Sequence, residues 1–147
     1  MARDAQGSSA VTKPTPRAVR VVLVVEDDAP VRELLAGAIN DESGYLALSV
    51  ASGTNALRAL ETVNTDLVLL DVKLPGISGI EVYDHMREDE RLRVVPVMFE
   101  TGTAREHAAE LRDRGVAAFI KKPFDLHDVV AYVKRLAPPP RTTSSSA

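Results

Sequence analysis

Thr65–Gly79 reads T-D-L-V-L-L-D-V-K-L-P-G-I-S-G, and its first half decides the fold. Four apolar residues, Leu67 to Leu70, lead into a single acid, Asp71, which is followed by Pro75 and Gly76. An unbroken apolar run of this length, closed by turn residues, predicts a strand buried on both faces. Asp71 then stands where the strand emerges, at the C-terminal edge of a parallel sheet, where ligands of open α/β sheets gather. Taken alone, the acid fits the opening of a surface loop better. The other strands decide its meaning.

Working outward, Val21 to Val25 (V-V-L-V-V) is a second buried run, ending at Glu26-Asp27-Asp28. Pro30 suits the first turn of a following helix, with Val31, Leu34, Leu35 and Ala38 at helical spacing. Leu46, Leu48 and Val50 alternate with Ala47 and Ser49, a weaker strand suited to a sheet edge. Ser52 is a cap for a helix carrying Ala56, Leu57 and Leu60. On the other side of Asp71, Ser78 caps a helix with Ile80, Val82, Tyr83 and Met86 inward. Val94 to Phe99 are expected to form the fourth strand, ending at Thr101-Gly102. A helix over Ala104 to Arg114 stops at Gly115, and Val116 to Ile120 make the fifth strand, ending at Lys122-Pro123. Asp125 caps a last helix with Leu126, Val129, Val130, Val133 and Leu136 inward. Five strands alternating with five helices imply an α/β fold: a parallel sheet covered on both faces, with right-handed crossovers and no internal repeat beyond that rhythm.

The 147 residues suffice for one domain with a real core. A net charge of −3 and a pI near 5.6 point away from a nucleic-acid partner. Cysteine is absent, which removes disulfides, thiolate chemistry and sulfur-ligated metals. No apolar run approaches the roughly 18 residues that span a membrane, and the N-terminus lacks a secretory apolar core, so no membrane role and a cytoplasmic location are expected. Residues 1–19 and the Pro- and Ser/Thr-rich 138–147 are too polar to offset their ordering entropy and are expected to be disordered, leaving 20–137 as the folded unit.

Strands one, three, four and five end on Glu26 and Asp27, Asp71, Thr101 and Lys122. In a parallel sheet these ends share one edge. Three carboxylates cannot share a pocket unaided, since each pair about 4 Å apart repels by roughly 4 kcal/mol at an effective dielectric near 20. A divalent cation resolves this, and oxygen ligands without His or Cys select Mg²⁺, with Mn²⁺ as the alternative. Lys122 adds a positive charge and Thr101 a hydroxyl. The set forms a cradle for a phosphoryl group, with Asp71 as nucleophile.

These motifs, in this order and with 44, 30 and 21 residues separating Asp27, Asp71, Thr101 and Lys122, resemble the receiver domain of two-component response regulators over about residues 20–137. The resemblance implies a doubly wound, flavodoxin-like sheet of strand order 2-1-3-4-5, of the single-domain chemotaxis type. It implies Mg²⁺ on Glu26, Asp27, Asp71 and the backbone carbonyl of Lys73. By the same likeness Asp71 takes its phosphoryl group from a histidine kinase or phosphotransfer protein. Thr101, the Gly102 N–H and Lys122 then hold the phosphoryl oxygens, Phe119 is the switch aromatic, and the Lys122-Pro123 bond is expected to be cis. The implied function is a signalling switch acting on a downstream protein, not an enzyme.

Departures from the family pattern sit close to the site. Glu100 takes a strand position that is usually apolar, and is expected to face solvent or a partner. Gly102 replaces the commoner Ala. Lys73 and Thr103 occupy the two positions that tune dephosphorylation in this family, and neither suits alignment of an attacking water, so a slow-decaying phosphoryl state is expected. A Mg²⁺-dependent phosphohydrolase would need a general acid/base beside the nucleophile, where Lys73 stands instead. His85, His107 and His127 fall in helices, away from the cradle. A phosphorylation-independent scaffold would have no need of the acid, Thr and Lys set. Whether the chain is clipped from a longer regulator stays open.

Overall fold

The two unbroken apolar runs form the centre of the sheet. In the computed structural model, which describes residues 18–102, 104–116 and 118–141, they are β1 (Arg20–Val25) and β3 (Leu67–Asp71). Around them come α1 (Ala29–Asn40), β2 (Tyr45–Val50), α2 (Gly53–Thr62), α3 (Gly79–Glu88), β4 (Val97–Thr101), α4 (Ala104–Asp113), β5 (Phe119–Lys121) and α5 (Leu126–Leu136). The strands pair in parallel in the order β2-β1-β3-β4-β5. This is the doubly wound arrangement expected.

Alternation along the central strands sorts the core into two layers. Leu23, Val25, Val68, Leu70 and Phe99 meet Ala56 and Leu60 of α2, Val82 and Met86 of α3, and Leu111 of α4. Val22, Val24, Leu67, Leu69 and Met98 face the other way, onto Leu35 and Ile39 of α1 and Val129 and Val133 of α5. Each fully buried aliphatic side chain contributes about 1.5–3 kcal/mol. Helix starts follow the expected caps: Ser52 Oγ accepts from the Asn55 N–H, Ser78 and Glu81 form a reciprocal capping box, and Asp125 accepts from the His127 N–H. Pro30 sits in the first turn of α1.

Several boundaries differ from the sequence reading. Val94 does not open β4; it is 77% exposed, because Pro96 interrupts the run and the Val95 N–H bonds back to Leu92 in a turn. β5 is only three residues long, and Val116 instead closes the end of α4 through its N–H to Leu111. Leu34 is 58% exposed, the inward positions of α1 being Leu35 and Ile39. On β2 the buried residues are Tyr45 and Ala47 while Leu46 is 43% exposed. The Tyr45 hydroxyl donates to the Ala137 carbonyl at 2.6 Å, which ties the start of β2 to the end of α5. Beyond that point the chain is docked at first: Arg20 Nε donates to the Pro138 carbonyl at 2.8 Å, and Pro139 packs beside Gly44, whose φ of +89° suits glycine. Most of the two tails, residues 1–17 and 142–147, lies outside the described residues, as does Thr103.

Candidate functional site

Four strand ends meet at one edge of the sheet, as the alternating pattern requires. Asp71 is the last residue of β3 and is buried. Its Oδ1 accepts from the Lys73 N–H at 3.1 Å and its Oδ2 from Lys122 Nζ at 3.0 Å. Lys122, just past β5, is held there by its own N–H to the Thr101 carbonyl, and its bond to Pro123 is cis, as expected. The same ammonium lies 3.0 Å from Oε1 of Glu26, which is fully buried. Glu26, Asp27 and Asp71 each offer one oxygen, and these three atoms lie within 4.8 Å of one another. Asp27 is exposed, so one side of the group opens to solvent. A small hard cation fits this all-oxygen set.

Thr101 is buried at the end of β4. Gly102 follows it and is exposed, and a Cβ there would meet nothing within 4 Å, so any part it takes is through its backbone. Lys73 contributes the N–H described above. Phe119 is half-buried on β5, in register with Phe99, and Phe99 meets Tyr83 edge-to-face at 5.5 Å. His85, His107 and His127 lie on α3, α4 and α5, and His107 pairs with Glu110 at 3.3 Å.

Two residues belong to the site that the sequence reading did not place there. Glu100 faces neither solvent nor partner. It is fully buried on β4 in register with Asp71, its carboxyl contacts that of Glu26, and its Oε1 is 3.6 Å from Lys122 Nζ. The signal available was the acid itself, inside V-M-F-E-T, which had to find a partner once the strand was buried. Gly79 is the second. Its N–H donates to the Val72 carbonyl at 2.9 Å, and a Cβ on it would collide with the Asp71 carbonyl oxygen. Gly79→Ala is therefore expected to cost about 1–3 kcal/mol in urea denaturation, the range for overpacking, and to shift the Asp71 backbone. An unchanged stability would show that the β3–α3 turn relaxes freely.

Crowding sets the charges. Burial raises the Asp71 carboxyl and Glu26 adds to this, so despite the Lys122 hydrogen bond it stands at about 6. Burial likewise raises Glu100, and the neighbouring Glu26 raises it further, to about 9. Glu26 is also penalised by burial, but the neighbouring Glu100 carboxyl, the Asp28 N–H and the Lys122 ammonium outweigh this and bring it to about 2. Burial disfavours the Lys122 ammonium, yet its hydrogen bond to Asp71 and its ion pair with Glu26 raise it above its ordinary value. Neither Glu100 oxygen, nor Glu26 Oε1, receives a conventional hydrogen bond among the described residues. Burial and the neighbouring Glu26 carboxylate both favour the protonated form of Glu100.

A stability prediction follows. Between the ordinary value of 4.5 and about 9, the folded state holds a proton on Glu100 that the unfolded state has lost. Stability of the metal-free protein therefore falls as pH rises through this window, by up to about 1.4 kcal/mol per pH unit. Glu26 acts oppositely, its contribution being lost as pH falls from 4.5 towards about 2. Urea midpoints taken in EDTA between pH 6.5 and 9 are expected to decline for the native chain and to flatten in Glu100→Gln. Parallel curves for the two proteins would contradict this assignment.

The chain is similar to known proteins. The family model described as "Response regulator receiver domain" matches residues 22–134. Sporulation initiation phosphotransferase F of Bacillus subtilis (strain 168) is 36% identical over 118 residues, covering 80% of this chain and 93% of that protein. Polar-differentiation response regulator DivK of Brucella ovis is 34% identical over 114 residues, covering 77% and 92%. The crystal structure of response regulator protein TrrA from Thermotoga maritima, in complex with Mg(2+)-BeF, superposes with a TM-score of 0.71 at 30% identity, covering 80% of this chain and 99% of that one.

Proposed function

Because the chain belongs to the response regulator receiver domain family, we propose that it is a phosphorylation-dependent signalling switch. In this reading Asp71 accepts a phosphoryl group from a histidine kinase or phosphotransfer protein, in a Mg²⁺-dependent step. One observation carries it: Asp71 lies in hydrogen-bond contact with Lys122 and within a carboxylate group that suits one divalent ion.

The chemistry is a group transfer. An Asp71 carboxylate oxygen attacks phosphorus, the O–P bond forms, the P–N bond of the donor phosphohistidine breaks, and its electron pair returns to the imidazole. Glu26, Asp27, Asp71 and the Lys73 carbonyl would hold the cation, which when bound neutralises charge on the transferring group. Lys122 supports one phosphoryl oxygen from the other side, and the Thr101 hydroxyl and Gly102 N–H take the others. The phosphoryl group's charge of about −1.5 to −2, in place of the single charge of the ionised carboxylate, draws Thr101 inward. Phe119, half-buried on β5, follows and changes the surface of α4, β5 and α5. Turning such a switch from almost off to almost on takes about 5.5 kcal/mol. Charge-assisted bonds at about 1.5–3 kcal/mol each supply that amount from Thr101, Gly102 and Lys122 together.

In this reading the phosphodonor would dock on the apolar face beside Lys122. Val31, Leu34, Pro123, Phe124 and Leu126 line an apolar hollow of about 550 Å³ that borders Lys122. The exposed Leu34, unexplained by the core, belongs to it. The reading also takes the protein as a switch rather than an enzyme, since Lys73 and no acid stands two residues after the nucleophile. It carries a cytoplasmic location with it; no helix among the described residues is long and apolar enough to cross a membrane.

Incubation with acetyl phosphate, and with a panel of autophosphorylated histidine kinases, tests the reading. About one equivalent of label is expected with Mg²⁺ and almost none in EDTA. Label that persists in EDTA, or sustained release of inorganic phosphate from phosphatase substrates, would overturn it.

A further inference from the structure

The β4 strand V-M-F-E-T places an acid where its neighbours Met98 and Phe99 are fully buried apolar groups. A buried carboxyl there costs stability relative to an apolar side chain of similar size, even when it is paired. Its contacts say what it does in return. Glu26 is gripped from two sides: Oε2 accepts from the Asp28 N–H at 3.1 Å, and Oε1 faces Lys122 Nζ at 3.0 Å, the same ammonium that Glu100 Oε1 approaches at 3.6 Å. Lys122 in turn is bracketed by Glu26, Asp71 and Glu100 at 3.0, 3.0 and 3.6 Å. Glu100 reaches this point from the strand beside Asp71, and the Val72 N–H bonds to its carbonyl at 3.1 Å, so the backbone carrying the acid is itself anchored to the Asp71 loop.

The geometry assigns Glu100 as a positioning residue: by contact with the Glu26 carboxyl and the Lys122 ammonium from the buried side, it holds both in the arrangement that receives the cation and the phosphoryl group. It touches neither ligand itself. Outer partners of metal-holding groups govern affinity by about 10–100-fold, because a ligand free to rotate must be ordered when the ion arrives. The inference rests on the phosphoryl-cradle reading above for its consequence, though not for the contacts.

Glu100→Leu and Glu100→Gln, compared with the native chain, test it. Leu keeps the volume and makes no polar contact; Gln keeps a donor towards Glu26. Calorimetric titration with MgCl₂ is expected to show about tenfold weaker binding for Glu100→Leu and at most about threefold for Glu100→Gln. In the metal-free proteins, the Asp28 amide resonance reports the placement of Glu26. It is expected to move in Glu100→Leu and to stay near its native position in Glu100→Gln. Thermal melts separate these effects from unfolding, and Glu100→Leu is expected to be at least as stable as the native chain. Binding by Glu100→Leu within twofold of native, or an unmoved Asp28 amide, overturns the assignment. So does a Glu100→Gln variant as impaired as Glu100→Leu, which would make charge the cause. If the native chain takes up no Mg²⁺, the cradle reading fails while the metal-free Asp28 amide still decides whether Glu100 positions Glu26.

Discussion

Asp71→Asn is expected to abolish labelling by a small phosphodonor while leaving the fold intact or more stable. The amide has no carboxylate oxygen to attack phosphorus, and of the two acids of the carboxylate group that Lys122 contacts, Asp71 is the one hydrogen-bonded to the ammonium, while Glu26 is fully buried. Stability should move the opposite way from activity. Burial and the Glu26 carboxylate raise Asp71 to about 6, so at pH 7 the ionised side chain opposes folding relative to its unfolded value of 3.8. Replacing it by a neutral isostere removes that opposition, on the order of 1–2 kcal/mol. Intact-mass measurement after treatment with acetyl phosphate, paired with urea denaturation at pH 7, checks both halves. Labelling at full stoichiometry refutes the acceptor assignment. A large loss of stability refutes the account of the crowded carboxyl.

What could be read from the chain, and what could not, divides along physical lines. β1 and β3 were legible because each is buried on both faces and so shows an unbroken apolar run. Caps were legible because Ser52, Ser78 and Asp125 act within three residues of themselves. Edges were harder. Alternation in β2 separates two faces without saying which one a helix covers, and Tyr45 rather than Leu46 proved buried, with its hydroxyl satisfied 92 residues away. The convergence of Glu26, Asp27, Asp71 and Lys122 followed from strand polarity alone, since parallel strands end on one edge. Glu100 did not follow, because an acid in a strand defaults to solvent and only the register against Asp71 brings it inside. Gly79 is a purely tertiary requirement: nothing in I-S-G-I announces an approach to the Asp71 carbonyl.

Lys122→Ala is expected to separate phosphorylation from its consequence. Asp71 keeps its carboxylate and the cation-holding oxygens, so label still enters, at a reduced rate. The phosphoryl group then lacks the ammonium that lies 3.0 Å from Asp71 in the resting protein, and partner binding no longer responds to labelling. The same substitution reveals what Lys122 does before phosphorylation. In the metal-free protein it is the cation that Glu26, Asp71 and Glu100 share. Its removal leaves carboxyls whose ionised forms repel, and is expected to cost about 1–3 kcal/mol, part of it recovered as those groups take up protons. Mg²⁺ supplies the missing charge, and an ion present at about 100 times its dissociation constant stabilises the folded state by about 2.7 kcal/mol. The gap between denaturation midpoints in EDTA and in MgCl₂ should therefore be wider for Lys122→Ala than for the native chain, because in the native chain the ammonium has already done part of the ion's work. Equal gaps would mean that Lys122 and the divalent ion act on different carboxylates. Partner binding that still followed phosphorylation would mean that the switch is thrown without Lys122.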